Sequence, residues 1–224
     1  MIHLLLQRRL KKIIERNSKV LNKKIKIAIL ISGRGSNMQA LVKACDSAEF
    51  PAEVALVLSN KLDAEGLKFA KEKSIKTAIV SHKDFILEPE DKEKSRENFD
   101  KKVSEEVEKS GAQIICLAGF MRLLSPWFVQ RWFDRLINIH PSLLPEFKGA
   151  DAVGDAIKAG AKISGCTVHF VREEMDSGPI IKKVQVKVFK DDTKETLAAK
   201  ILKQEHKIYS QALKEVCEKI QNCN

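Results

Sequence analysis

Aromatic residues are scarce in this chain, at 6% of its 224 residues, and this scarcity bears on how its basic composition is interpreted. The formal net charge is +10, but proteins that bind nucleic acid usually combine a basic folded face with aromatic side chains that stack on bases. The charge is also concentrated at the start. Residues 1–26 hold nine basic residues against the single acid Glu15, which is +8 of the +10. We therefore expect no nucleic-acid partner.

Long apolar runs and clustered cysteines are absent as well. No stretch approaches the ~20 apolar residues of a membrane span, and Leu4–Leu6 is too short for the core of a signal peptide. We therefore expect a cytoplasmic protein with no membrane partner. The cysteines show neither CxxC spacing nor a cluster with histidines. They are predicted to be reduced thiols, mostly in the core, with no structural metal: Cys45, Cys116, Cys166, Cys217 and Cys223.

Residues 1–24 form a basic N-terminal extension, distinct from the single domain predicted for residues 25–224. Its apolar residues fall near helical spacing between the positive charges, which predicts an amphipathic segment. A solvated extension, a targeting peptide, a membrane-surface helix and a misassigned start codon all fit this composition. The sequence is equally compatible with a monomer and with a homodimer.

From residue 25 onward, short apolar strands alternate with amphipathic helices. Ile25–Ile31 is a continuous apolar run, followed by a glycine loop and a helical pattern at residues 37–45. This unit recurs in outline down the chain, to a terminal helix from Thr193. The alternation predicts an α/β fold, a doubly wound, mostly parallel sheet with helices on both faces. The polar stretch Pro89–Ser95 is predicted to be a surface loop.

The loop Ser32–Asn37 (SGRGSN) connects the first predicted strand to the first predicted helix. Glycines allow a tight turn and close backbone approach, and the N–H groups and dipole of the helix favour an anion. The loop therefore indicates a phosphate site, although an ordinary strand-to-helix turn can have the same composition. It matches neither the dinucleotide fingerprint nor a P-loop, so neither a dinucleotide nor a nucleoside triphosphate is implied.

Two polar side chains lie near the end of the predicted strand at residues 136–140. Asn138 and His140 are two residues apart and face the same side, and Pro141 stops the strand at the sheet edge where open α/β folds bind ligands. An amide beside an imidazole suits oxyanion stabilisation and proton transfer. Satisfying backbone groups in the loop is an equally weighted alternative. A predicted turn at residues 173–179 contains three acids, Glu173, Glu174 and Asp176, any of which is either an ordinary turn carboxylate or a partner of His140.

Six motifs stand in a fixed order between residue 25 and about residue 215: ISGRGSN (31–37), AGFMRLLSP (118–126), INIHPSLLP (137–145), GCTVHFV (165–171), MDSGPI (175–180) and QEHKIY (204–209). Together they resemble the folate-dependent glycinamide ribonucleotide formyltransferases of purine synthesis. The resemblance implies a Rossmann-like formyltransferase fold. It also implies transfer of the formyl group of 10-formyltetrahydrofolate, a co-substrate, to the amine of glycinamide ribonucleotide. Only small-molecule partners are implied, with no metal and no tightly bound cofactor.

The resemblance also assigns roles to individual residues. It implies a catalytic trio of Asn138, His140 and Asp176. Ribonucleotide binding is implied for Gly35, Ser36, Asn37 and Glu205, with Glu205 at the sugar and glycinamide portion. Folate binding is implied for Arg96, Met121, Arg122, Leu123, Leu124 and Asn138. His169 is expected to support the site from the neighbouring strand. The chain departs from the family's usual residues at Leu202 and in the stretch 150–156.

Three alternatives differ in acceptor or in chemistry. A formyltetrahydrofolate deformylase would use water as the acceptor, and a methionyl-tRNA formyltransferase would use charged tRNA. Both usually carry an added domain, for which we expect no room in this chain. A noncatalytic folate- or nucleotide-binding module is disfavoured because binding alone does not require a histidine and a carboxylate around one carbonyl.

Overall fold

The computed structural model describes residues 24–86, 88 and 91–223, in which strands and helices alternate in the predicted order. The strands are β1 (Ile25–Ile31), β2 (Ala52–Ser59), β3 (Thr77–Ile79), β4 (Ile114–Leu117), β5 (Leu136–His140), β6 (Ile163–Phe170) and β7 (Ile180–Lys187). The helices are α1 (Ser36–Cys45), α2 (Glu65–Glu72), α3 (Lys92–Lys109), α4 (Pro126–Arg131), α5 (Ala152–Lys158) and α6 (Lys194–Cys223), with a 3-10 turn at His82–Phe85.

The strands form one sheet in the order β3-β2-β1-β4-β5-β6-β7. Strands β1 to β5 run parallel, and β6 and β7 are added antiparallel at one edge. The winding direction reverses between β1 and β4, and such a switch point leaves a crevice at the carboxyl ends of the strands. The prediction of a doubly wound, mostly parallel sheet is therefore confirmed.

Alternate residues of the central strands pack on opposite faces of the sheet. In β1, Ile27, Ile29 and Ile31 join the core beneath α1, α2 and α6, whereas Ala28 and Leu30 join the core beneath α3 and α4. All five side chains are fully buried. Burial on both faces explains why residues 27–31 of β1 are a continuous apolar run rather than an alternating one, whereas Lys26 near the start of the strand is exposed. Helices cover both faces, as the sequence predicts.

The long helix α6 is attached to the middle of the sheet by Tyr209. This side chain is fully buried, and its Oη lies 2.9 Å from the carbonyl oxygen of Leu117 and 3.2 Å from that of Ile137. Those carbonyls belong to neighbouring strands β4 and β5. The contact fixes α6, which carries Glu205, relative to the carboxyl edge of the sheet.

One predicted loop is partly wrong. Helix α3 begins at Lys92, so residues 92–95 of the polar stretch Pro89–Ser95 are helical, while Pro89 and Glu90 lie outside the described residues. The charged side chains of this first turn are mainly solvated on the outside of the helix, and high polarity does not exclude a helix with one buried stripe. In α3 that stripe includes Phe99, Val103 and Val107.

Other sequence predictions are tested only in part. Four of the cysteines are buried free thiols, as expected: Cys45, Cys116, Cys166 and Cys217. The side chain of Cys223, the N-terminal extension up to residue 23, and its predicted amphipathic segment lie outside the described residues. None of the helices that the structure describes is both long enough and apolar enough to span a membrane.

Candidate active site

The loops that follow β1 and β4 meet at the switch point and are joined through Ser32. The backbone N–H of Ser32 donates to the carbonyl oxygen of Gly119 at 3.1 Å. Its buried hydroxyl accepts from the N–H of Met121 at 2.8 Å and donates to Oδ1 of Asn60 at 2.6 Å. One serine thus links the glycine loop, the loop after β2 and the loop that contains the predicted folate contacts.

The glycine loop turns into α1 at Gly35, which has φ of 70° and ψ of 32°. This left-handed conformation suits glycine. No side chain among the described residues caps the helix, and the first N–H groups of any helix lack partners within it. The N-terminus of α1 therefore presents free donors to the crevice, as an anion site requires.

A second glycine, Gly66 in the first turn of α2, lets that helix pack directly against the loop. Its N–H donates to the carbonyl oxygen of Gly33 at 3.1 Å. A Cβ atom at this position would lie 2.6 Å from Cδ1 of Ile31 and 3.0 Å from Cε of Met38. Sequence analysis missed this role, although a glycine inside a predicted helix is itself a signal of close packing.

The residues predicted to bind the ribonucleotide line one cavity of about 750 Å³: Gly35, Ser36, Asn37 and Glu205. The Nδ2 group of Asn37 donates to Oε2 of Glu205 at 2.7 Å, although the two residues are 168 positions apart. Oδ1 of Asn37 is buried and has no hydrogen-bond partner among the described residues. Burial raises the pKa of Glu205, and the hydrogen bond from Asn37 opposes this effect.

Asn138, His140 and Asp176 do not line this cavity themselves, but Ile139 and Pro141, the chain neighbours of His140, do. The Nδ1 atom of His140 is 3.5 Å from Oδ2 of Asp176, and its Nε2 atom is 3.0 Å from the carbonyl oxygen of Phe147. Both side chains of the His140–Asp176 pair are less than 10% exposed. Both ring nitrogens therefore face oxygen acceptors. The carboxylate and the carbonyl together orient the ring of His140.

A second histidine, His169 on β6, connects the other two members of the trio. Its Nε2 atom lies 3.3 Å from Nδ2 of Asn138 and 3.7 Å from Oδ1 of Asp176, while its Nδ1 atom faces the carbonyl oxygen of Phe170 at 2.9 Å. Burial lowers the pKa of His169, which favours the neutral ring. A neutral ring protonated on Nδ1 accepts a hydrogen bond from Asn138 at Nε2.

Asp176 is positioned by the hairpin between β6 and β7. It adopts φ of 53°, a left-handed conformation that Asp and Asn tolerate better than most residues. Its Oδ2 atom also accepts from the N–H of Gly149 at 3.1 Å. The carboxylate therefore joins the loop after β5 to His140. Sequence analysis missed the contribution of that loop, in particular the carbonyl of Phe147, because a backbone contact leaves no side-chain signal.

Four of the predicted folate contacts, Met121 to Leu124, lie on the loop after β4, and Met121 also lines the first cavity. Met121 and Leu123 are 72% and 57% exposed, whereas Leu124 packs partly against the core beneath α3 and α4. Arg96 and Arg122 line a second cavity of about 560 Å³. The structure thus separates the predicted folate residues into an exposed apolar wall and a basic pocket.

The far end of the same loop is held by Asp100 of α3. The N–H of Ser125, the residue that caps α4, donates to Oδ2 of Asp100. Asp100 is fully buried, and burial raises its pKa from 3.8 to about 6. Sequence analysis did not find this residue, because nothing in its local pattern distinguishes it from the other charged residues of α3.

The trio shows no arrangement typical of a metal centre. Within the described residues, no group of three or more histidine, cysteine or acidic side chains is placed to hold a metal ion. The donors that converge near Asn138 and His140 are an amide and an imidazole. Such groups can stabilise a developing oxyanion and transfer a proton.

Comparison with known proteins identifies the family. The profile of the formyl transferase family matches residues 25–213. Over 189 residues the chain is 40% identical to the phosphoribosylglycinamide formyltransferase of Haemophilus influenzae, covering 84% of this chain and 85% of that protein. It is also 44% identical over 195 residues to the trifunctional purine biosynthetic protein adenosine-3 of Gallus gallus, covering 87% of this chain but only 19% of that much longer protein.

Solved structures agree with the sequence comparisons. The crystal structure of the phosphoribosylglycinamide formyltransferase from Anaplasma phagocytophilum superposes with a TM-score of 0.78 at 41% identity, covering 88% of each chain. That from Brucella melitensis gives a TM-score of 0.79 at 42% identity, covering 87% of this chain and 96% of the other. Sequence, fold and the order of the site motifs agree, and the chain belongs to the formyl transferase family.

Proposed function

We propose that this chain transfers the formyl group of 10-formyltetrahydrofolate to the amine of glycinamide ribonucleotide, giving formylglycinamide ribonucleotide and tetrahydrofolate. The observation that carries the proposal is that His140, paired with Asp176, lies between Ile139 and Pro141, two residues that line a cavity opening on a helix N-terminus. This arrangement supports a phosphorylated acceptor bound next to an acyl-transfer centre. The 40% identity to a bacterial phosphoribosylglycinamide formyltransferase supports the same acceptor.

The ribonucleotide binds in the 750 Å³ cavity. Its phosphate lies at the N-terminus of α1, where the unpaired N–H groups and the helix dipole favour an anion. Glu205 at the far wall accepts from hydroxyl or amine donors of the sugar and glycinamide portion. The unpartnered Oδ1 of Asn37 is a further acceptor in the same cavity.

The folate binds across the loop after β4. Its flat pterin packs against the exposed apolar side chains of Met121 and Leu123. Its anionic tail extends towards the basic pocket that contains Arg96 and Arg122, because guanidinium groups pair well with carboxylates. Asn138, which is only partly buried, then faces the formyl group between the two ligands.

The reaction begins when the neutral amine of glycinamide attacks the formyl carbon, forming a C–N bond and a tetrahedral oxyanion. The amide of Asn138 donates to this oxyanion, and the charge of His140 stabilises it. Collapse breaks the bond between the carbon and N10 of the folate. The proton lost by the amine is relayed to N10, so charge and atoms balance. His140 exchanges its contact with the Phe147 carbonyl for the substrate as it acts.

The test is an assay of tetrahydrofolate release with and without glycinamide ribonucleotide. We expect release to require the ribonucleotide and to yield one formylated product for each folate consumed. Equal release without it would instead identify a deformylase, and release that requires charged methionyl-tRNA would identify the tRNA enzyme. Folate binding without any release would indicate a noncatalytic module. Asn138→Asp, which keeps the size but replaces the NH₂ donor with an acceptor, should lower kcat about 10²- to 10³-fold.

A further inference from the structure

The cavity proposed for the ribonucleotide has an uneven distribution of charge. On the side of α6, its lining is apolar or acidic: Glu195, Ala198, Ala199, Ile201, Leu202 and Glu205. A phosphate near physiological pH carries close to two negative charges. The long helix therefore offers no cation to balance the phosphate, and the side chain of Leu202 in particular supplies only apolar contact.

Two cations line the opposite side, Arg34 and Lys61. Arg34 follows β1 by three residues and Lys61 follows β2 by two. Because Ile31 pairs with Ser59 in the parallel register of these strands, both residues emerge at the same edge of the sheet. The backbone of Lys61 is fixed by a hydrogen bond from its N–H to Oγ of Ser59 at 3.0 Å.

Both side chains are available to a ligand. Arg34 and Lys61 are exposed, and neither charged group forms an ion pair with any residue that the structure describes. By contrast, Lys194 at the start of α6 is engaged with Asp151 at 2.6 Å. The free positive charge of this cavity is thus confined to the loops after β1 and β2.

We propose that Arg34 and Lys61 are the charged ligands of the substrate phosphate, and that they replace any cationic contact from α6. The inference rests on the proposed function for the identity of the substrate, but the charge assignment applies to any ribose 5-phosphate group in this cavity. The helix N-terminus supplies N–H donors, and the two side chains supply the neutralising charge. Arg34 can bind two phosphate oxygens at once, whereas Lys61 acts as a point charge.

The experiment compares Arg34→Gln, Lys61→Gln and the double variant with Lys68→Gln. Lys68 is an exposed lysine of α2 that lines neither cavity, so it controls for the change in net charge. Binding of ribose 5-phosphate is measured by titration calorimetry, which requires no activity. The KM values for glycinamide ribonucleotide and for the folate are measured in parallel. Circular dichroism verifies that the variants remain folded.

Each single substitution should raise the Kd for ribose 5-phosphate and the KM for the ribonucleotide about 3- to 30-fold, the range between an exposed ion pair and a charged hydrogen bond. The folate KM should stay within about twofold, and so should every constant of Lys68→Gln. The double variant should also show a weaker dependence of KM on salt, because screening acts on the charges that it lacks.

Three results would overturn the proposal. The first is an unchanged Kd for ribose 5-phosphate in the double variant. The second is a loss of affinity in the Lys68→Gln control as large as the loss in the double variant. The third is a rise in the folate KM for Lys61→Gln with no change in the KM for the ribonucleotide, which would assign Lys61 to the folate. This outcome is a meaningful alternative because Lys61 is also a neighbour of His82, which lines the basic pocket. Failure of the proposed function would give a different result. Binding of ribose 5-phosphate would still depend on both cations, but the protein would not formylate the ribonucleotide.

Discussion

At the residue scale, the two histidines beside Asp176 contact different partners and so suit different roles. His140 faces an acceptor at each ring nitrogen, the Phe147 carbonyl and the Asp176 carboxylate. His169 faces a carbonyl at Nδ1 and the Asn138 amide at Nε2. A neutral ring at His169, protonated on Nδ1, satisfies both of its contacts. His140 is thus the histidine that contacts the carboxylate most closely, whereas His169 orients the amide of Asn138.

Replacing Asp176 tests this division of roles. Asp176→Asn keeps the size of the side chain, an acceptor for the N–H of Gly149 and tolerance of the left-handed backbone, but it removes the negative charge that lies beside His140. We expect kcat to fall, within the 10²- to 10⁴-fold range typical of lost acid–base positioning. Steady-state turnover of the two proteins measures the loss, and an unchanged kcat would remove Asp176 from the catalytic machinery.

Asp100 makes stability depend on pH in a specific window. Its pKa in the folded protein is about 6, above the ordinary 3.8, so protonation favours the folded state. The stabilisation that protonated Asp100 gives the folded state is fully present below about pH 4 and is lost as pH rises through 6. This pKa shift corresponds to a change of about 3 kcal/mol in the free energy of unfolding. Asp100→Asn keeps the acceptor for Ser125 but does not titrate, so its free energy of unfolding relative to wild type should increase by up to this amount between pH 4 and 7.

Urea unfolding at a series of pH values measures that difference. Asp191→Asn is the matched control, since Asp191 is exposed and its substitution should give a difference that is nearly constant with pH. A constant difference for Asp100→Asn as well would contradict the assignment.

At the scale of elements, the glycine loop keeps its shape because α1 and α2 both pack against it. Gly35 needs a positive φ, and a Cβ on it would lie 2.9 Å from Cε of Met38 and 3.2 Å from Cα of Gly66. The backbone of α2 cannot easily move aside. The requirement for glycine at this position therefore comes from helix packing and backbone conformation, before any phosphate is bound.

Gly35→Ala should consequently destabilise the protein by about 1–3 kcal/mol, the combined effect of the left-handed backbone and the close contacts. The displaced loop should also raise the KM for the ribonucleotide. Gly33→Ala is the control within the same loop, because a Cβ on Gly33 meets no atom within 4 Å. It should change stability by less than about 0.5 kcal/mol. Thermal unfolding of both variants tests the prediction, and equal destabilisation would contradict it.

At the scale of the whole molecule, the positive charge of the chain and its site are separate. All contacts described for the site are made by residues from 32 onward, whereas most of the net charge lies in residues 1–26. Deleting residues 1–22 should therefore leave kcat and both KM values within about twofold. Steady-state kinetics of the truncated and full chains would measure this. A large loss of kcat in a truncated protein with an unchanged circular dichroism spectrum would show that the extension contributes to catalysis.

The sequence by itself determined the layers of the fold and indicated most of the candidate site residues. The local apolar patterns of strand β1 and of the amphipathic helices indicate which residues are buried. A strand covered on both faces is apolar on both of its sides, and an amphipathic helix is apolar on one. The position of Asn138 and His140 on one face of β5 follows from the two-residue period of a strand. The placement of a glycine loop before a helix similarly follows from adjacent residues. These features depend on neighbours in the chain, which a sequence displays directly.

Only the tertiary structure decided which distant residues meet. Asn37 and Glu205 are 168 positions apart, and Asp176 reaches both His140 and His169 only because β5, β6 and the β6–β7 hairpin are adjacent. The support of the glycine loop by Gly66 and the raised pKa of Asp100 likewise arise from packing. Such contacts are set by the order of strands in the sheet and by burial, and neither quantity is encoded in a short stretch of residues.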